Sequence, residues 1–274
     1  MTLWVLLAAL PFLWTLWGSF KLEADFLSRS DWMDALHGPN TTERTGSAFT
    51  GSGYYEAWVE GEFWKSVLNT LIVTVSVVAL SLTMGTLGAY ALARSGFRYA
   101  FWLLIAALVF RAMPHVTLVS GYLLPFFKLN LWGYLPTSIL VLVAINQPFT
   151  LWMLHAFFLN IPREIDESAM IDGCTQFQAF RLTVIPLMWP GIITTALFSF
   201  LLAYNDFTVT SLLLSQDNQT MVPKVASFLG TTQSEGKVMS AVAGVVSSIA
   251  PLCVLILLFQ RQIVSGLTTG AVKG

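Results

Sequence analysis

Hydrophobic positions along this chain fall into six long runs separated by polar breaks. The runs cover about 2–20, 66–93, 99–127, 134–159, 186–213 and 238–260. A helix rises 1.5 Å per residue, so a hydrocarbon layer of about 30 Å needs about 20 apolar residues. Each run meets that length. None shows the two-residue alternation of a membrane β-barrel strand. The pattern predicts an all-α membrane protein of six transmembrane helices, a single transmembrane domain over 1–274. The first run holds Trp4, Trp14 and Trp17 and no charge before Lys21, so it reads as a retained span and not as a cleaved signal peptide.

Composition supports this reading. Of 274 residues, 55% are apolar and 11% charged, with mean hydropathy +0.70. A soluble domain carries about 25% charged residues. The net charge of −1 gives no basic surface for nucleic acid. Cys174 and Cys253 are far apart, and His37, His115 and His155 stand alone, so neither a disulfide framework nor a metal site is expected. No GxxxxGK[ST] occurs, since Gly236-Lys237-Val238 lacks its flanking residues; ATP binding through a P-loop is excluded.

Charge says little about orientation. With both termini inside, six bases fall inside and seven outside. Four of the outer bases lie in the acid-rich loop 21–65, while the short 94–98 connection carries two arginines and no acid. This tilts the termini towards the cytoplasm.

The connection 160–185 is unusual. Acids follow Pro162 in a first helical turn, Gly173 is placed to close that helix in a left-handed cap, and Phe177 and Phe180 are three apart on one face. The pattern predicts two short helices carrying an apolar knob for a partner protein. The stretch resembles the EAA loop of ABC importer permeases. Glu167-Ser168-Ala169 stands for EAA, Gly173 has the motif's spacing, and Thr183, Ile185 and Pro186 stand for its I-x-L-P. Ser168, Thr183 and Ile185 depart from the pattern, each mildly. Asp172-Gly173 followed by Phe177-Gln178-Ala179-Phe180 is similar to the carbohydrate branch. Two further patches resemble maltose- and trehalose-type permeases: Tyr204-Asn205-Asp206-Phe207, for W-N-D-F, and the C-terminal stretch 259–274, whose tail is 261–274.

The resemblance implies a subunit of a bacterial inner-membrane sugar importer that works by alternating access. It implies a second, different permease subunit, two ATPase subunits holding ATP and Mg, an extracytoplasmic solute-binding protein, and cytoplasmic termini. Residues 160–185 become a cytoplasmic coupling helix in which Glu167, Ser168, Ala169, Asp172, Gly173, Phe177, Phe180 and Pro186 engage the ATPase. Gly270, Ala271, Val272, Lys273 and Gly274 become a tail reaching the ATPases. No catalytic residue is expected on this chain.

Inside the runs, Arg111 lies about 18 Å into the third. A charge there faces a cavity or a counter-charge: it lines the solute path, where an anionic sugar conjugate would meet it, or it pairs with Asp206 or with the second permease. Pro114 and His115 follow, either as a gate hinge or as a static kink. Tyr204, Asn205 and Asp206, and more weakly Asn146 and Gln147, line the path or glue helices together. A secondary transporter would need broken helices or ion sites, and a membrane enzyme would need clustered reactive groups; neither is evident in the sequence.

Overall fold

The computed structural model describes residues 2–21, 26, 50–96, 98–230 and 237–271. Val272, Lys273 and Gly274 of the predicted tail, and most of the loop 21–65, lie outside them. Among the described residues the structure is helical, with no strand. The chain divides into two compact units, 1–70 with 216–257 and 71–215 with 258–274.

In the first unit, α1 (Thr2–Gly18) is a 17-residue apolar helix, about 26 Å long by its rise. A short helix, α2 (Ser52–Tyr55), runs into a π turn at Glu56–Glu60. The 32-residue α3 (Phe63–Arg94) starts in this unit. It is joined by α11 (Met221–Phe228) and α12 (Val238–Ala271). Polar bonds tie these pieces. Thr70 Oγ1 accepts the Met221 N–H at 2.8 Å, Ser240 Oγ donates to Glu56 at 2.9 Å, and Trp58 Nε1 donates to Ser247 at 3.0 Å. Gly53 is required by contact, since a Cβ there would lie 2.7 Å from the Met239 carbonyl oxygen.

The second unit continues α3 and adds α4 (Ala100–Arg111), α5 (His115–Lys128), α6 (Leu135–Phe158), α7 (Glu164–Ile171) and α8 (Gln176–Ala179). A π turn at Phe180–Val184 joins α8 to α9 (Ile185–Tyr204), and α10 (Thr208–Leu213) follows. Two cores hold this unit. One gathers Val73, Val77, Val119, Ile139, Leu142 and Leu213. The other gathers Ala89, Tyr90, Leu154, Phe158, Phe180 and Met188, with Leu154 and Phe158 fully buried.

Among the described residues four helices, counting α8–α9 as one, are long and apolar enough to cross a membrane, and the pair α4–α5 makes a fifth if taken as one span. That pair departs from the straight third run: the two helices meet at 83°. The cause is Pro114, whose φ −58° and ψ 123° leave the helix, and α5 restarts with its carbonyl accepting the Thr117 N–H at 3.0 Å. The fifth run differs too. Its helix begins ten residues early, at Gln176, and breaks at 205–207. The early start comes from a capping box that the sequence reading passed over: Thr175 Oγ1 accepts the Gln178 N–H at 3.3 Å and Gln178 Oε1 accepts the Thr175 N–H at 2.8 Å.

Candidate functional site

Two groups of polar residues stand out in the second unit. The first surrounds α7. Asp166, in its first turn, is 5% exposed. Its Oδ2 pairs with Arg94 at the end of α3, at 2.8 Å from Nη2 and 2.9 Å from Nε, and Tyr90 Oη donates to Oδ1 at 2.6 Å. Arg94 Nη1 also reaches the Ile161 carbonyl at 3.1 Å, and Arg163 Nη2 the Ala93 carbonyl at 3.1 Å. The sequence reading missed Asp166, because its partner lies 72 residues away and no spacing rule links them.

The outer face of the same element is free. Glu167, Ser168, Asp172, Gly173 and Phe177 are exposed, as is Pro186, while Ala169 is buried. Gly173 sits at φ +91°, the left-handed conformation that ends α7. The expected pairing of Phe177 with Phe180 is present, with ring centroids 6.1 Å apart, but the two do not share an exposed face. Phe177 is 63% exposed, but Phe180 is 7% exposed and packs at a tilt against Tyr90, ring centroids 4.6 Å apart. Phe180 opens the π turn and belongs to the core around Tyr90. The exposed apolar tip is instead Met170, Ile171 and Phe177, with Ile171 86% exposed. Glu164, Ser168, Asp172 and Thr183 border a recess of about 350 Å³ beside it.

The second group lies where the helices break. Arg111, His115, Asn146 and Asp206 line one small pocket of about 40 Å³. Arg111 and His115 flank the break between α4 and α5. Asp206 lies in the break between α9 and α10. Two helix breaks, one foreshadowed by Pro114 and one at 205–207 that the sequence did not reveal, thus bring together four of the residues picked from it. Arg111 and His115 also line a wider cavity of about 390 Å³ with Tyr122, Phe126 and Pro148. The Arg111 guanidinium lies 5.0 Å from the Phe149 ring centroid. Among the described residues it has no ion pair within 4 Å, so the expected alternative of a pair with Asp206 is not what the structure shows. Asp206 instead accepts the Thr210 N–H, in the first turn of α10, at 2.9 Å.

The remaining residues divide. Asn146 Nδ2 bonds Ser199 Oγ, while Asn146 Oδ1 and Gln147 Oε1 are buried without a hydrogen-bond partner. Asn205 Nδ2 turns back to the Leu201 carbonyl at 2.9 Å. Tyr204 is 3% exposed and stacks on Phe200 at 5.2 Å, a packing position. Gly270 and Ala271 are helical, within α12. No group of three or more His, Cys, Asp or Glu that would hold a metal occurs among the described residues.

Comparison with known proteins agrees with this architecture. The family model of the binding-protein-dependent transport system inner membrane component matches residues 81–269. The trehalose transport system permease protein of Mycobacterium tuberculosis is 34% identical over 226 residues, covering 80% of this chain and 81% of that protein. The sulfoquinovosyl glycerol transport system permease protein of Agrobacterium fabrum is 31% identical over 270 residues, covering 96% of this chain and 88% of that one. A chain of a bacterial ABC transporter involved in the import of the acidic polysaccharide alginate shares the fold, with a TM-score of 0.73 at 20% identity over 95% of this chain and 92% of that one. With the model spanning more than half its length, the chain belongs to the inner-membrane permease subunits of binding-protein-dependent ABC importers, in company with sugar permeases.

Proposed function

We propose that this chain is one of two different permease subunits of an ATP-driven sugar importer in the bacterial cytoplasmic membrane, and that it carries its solute by alternating access. Its six spans are α1, α3, the bent pair α4–α5, α6, α8–α9 and α12, with both termini in the cytoplasm. The exposed tip Met170–Ile171–Phe177, ringed by Glu164, Glu167 and Asp172, supports a coupling role for α7–α8: an apolar knob with an acidic rim suits a cleft with a basic rim on an ATPase subunit. Two such ATPases bind ATP and Mg and do the hydrolysis; this chain is not an enzyme. The tail 270–274 reaches towards them. A solute-binding protein delivers the sugar from outside.

The substrate is an anionic sugar conjugate, carrying a sulfonate, carboxylate or phosphate. The observation that carries this reading is Arg111, a half-buried cation without a counter-ion among the described residues, on the wall of a cavity that also offers His115 and Tyr122. A buried guanidinium gains most from a charged, bidentate acceptor. The sulfoquinovosyl glycerol permease, at 31% identity over nearly the whole chain, points the same way.

The test is ATPase activity of the reconstituted assembly with its binding protein, across neutral and anionic sugars. Stimulation by a loaded binding protein, strongest with an anionic sugar, is expected. Arg111→Gln should then lower uptake of the anionic sugar tenfold or more and leave neutral sugars nearly unaffected. No stimulation by any loaded binding protein would defeat the importer reading. Stimulation by neutral sugars alone would defeat the anionic one.

A further inference from the structure

The buried acid of α7 has no place in docking. Asp166 faces away from the exposed tip, and Glu164, Glu167 and Asp172 supply the outward charge. Its two oxygens are taken up by groups from the last turns of α3. A buried ion pair between distant parts of a chain is weak evidence for stability, because desolvation offsets most of its attraction. What such a pair does set is geometry: a carboxylate held by two guanidinium nitrogens and a phenol has one arrangement.

The bonds around it are concentrated in one place. Residues 161–166 are strapped to residues 90–94 by four side chain contacts: Asp166 to Arg94, Asp166 to Tyr90, Arg94 to the Ile161 carbonyl and Arg163 to the Ala93 carbonyl. Tyr90 is the hub. Its ring meets Phe158 of α6 at 5.7 Å and Phe180 of the π turn at 4.6 Å. The end of α3, the end of α6, α7 and the start of α9 therefore share one buried knot. By contrast, nothing lies within 4 Å of a Cβ placed on Gly173, at the turn between α7 and α8.

We infer that Arg94, Asp166 and Tyr90 form a latch that locks α7 to the end of α3, so that a push on the exposed tip moves this span directly and is not absorbed by the loop. The three are positioning residues: they touch neither ATP nor solute, and they set how much of the ATPase stroke reaches the membrane spans. This inference rests on the coupling role proposed for α7–α8.

The experiment uses the full assembly in liposomes and reads solute moved per ATP hydrolysed. Asp166→Asn or Arg94→Gln alone strands a buried charge, and a folding defect would follow whatever the role. The double variant Arg94→Gln with Asp166→Asn removes both charges and leaves neither stranded. Expected is a complex that assembles but moves at least fivefold less solute per ATP. A fall in binding or assembly cannot mimic that ratio, since it lowers both rates together. A wild-type ratio in the double variant overturns the latch. Should the double variant fail to assemble, Tyr90→Phe decides: it keeps both ring stacks and removes only the bond to Asp166. A lowered ratio supports the latch, and an unchanged one overturns it. Ile171→Asp at the exposed tip separates the two readings. If it leaves transport intact, the coupling role itself is wrong; if it abolishes transport while the latch variants keep the normal ratio, only the latch is wrong.

Discussion

Arg94 and Arg111 are both arginines at the C-terminal ends of apolar helices in the same unit, and they have opposite surroundings. Arg94 closes α3 with an acid, a backbone carbonyl and a tyrosine ring 5.9 Å from its guanidinium carbon. Arg111 closes α4 against the face of Phe149, with no ion pair among the described residues. Nearby buried oxygens of Asn146 and Gln147 are also without partners. A satisfied polar network has nothing left to bind and fixes a geometry. An open one leaves donors and acceptors exposed to whatever enters the cavity. One residue type thus sits in a closed polar network at one helix end and in an open one at the other, and the difference lies in what the neighbouring elements contribute.

The contrast breaks most sharply on stability. Asp166→Ala should cost about 3–5 kcal/mol, because it leaves Arg94 buried without its counter-ion. Arg111→Gln, also one charge removed, should change stability by less than about 1 kcal/mol, because no ion pair is broken. Thermal unfolding of the purified complex compares the two. Equal losses would mean that Arg111 is structural and that the comparison fails.

Gly173→Ala comes next. Its backbone sits at φ +91° in open space, so the penalty is conformational alone, about 1 kcal/mol, and a lowered melting midpoint checks it. A full loss of assembly would show that a partner occupies that space.

Smallest is Lys237, which is paired with Glu60 at 2.8 Å, both side chains about half exposed. Glu60 raises the Lys237 ammonium above its ordinary value of 10.5, first through the hydrogen bond and then through its charge. A raised value in the folded state means that the contribution is whole below pH 10.5 and fades as pH rises beyond it. Lys237→Met should therefore melt almost with the wild type at pH 7, and any gap should close on the alkaline side.

Much of this was readable beforehand, and what was not has a physical cause. The runs that become α3, α6, α9 and α12 show as unbroken apolar length. The stop of α7 shows as a glycine at helix-ending spacing. Pro114 announces a kink, but its 83° angle depends on how α5 packs, which no local pattern encodes. The break at 205–207 has no proline or glycine to mark it, and Asp206 there accepts the Thr210 N–H of the helix that follows. Phe180 pairs with Phe177 as the spacing suggests, but its burial comes from Tyr90 on another helix, which no local spacing shows. Thr175 and Gln178 spell a capping box that local rules do reach. Asp166 lay beyond them, since its partners come from another helix.

The capping box and the π turn have a mechanical consequence. Together they make residues 176–204 one uninterrupted helical rod of 29 residues, about 43 Å long, whose lower end begins beside the exposed tip and whose upper end stops at the break holding Asp206. For a lever of that length, each degree of tilt about one end carries the other through about 0.75 Å. A few degrees at Gln176 are enough to open or close a gap the width of a water molecule next to the small pocket that Asp206 lines.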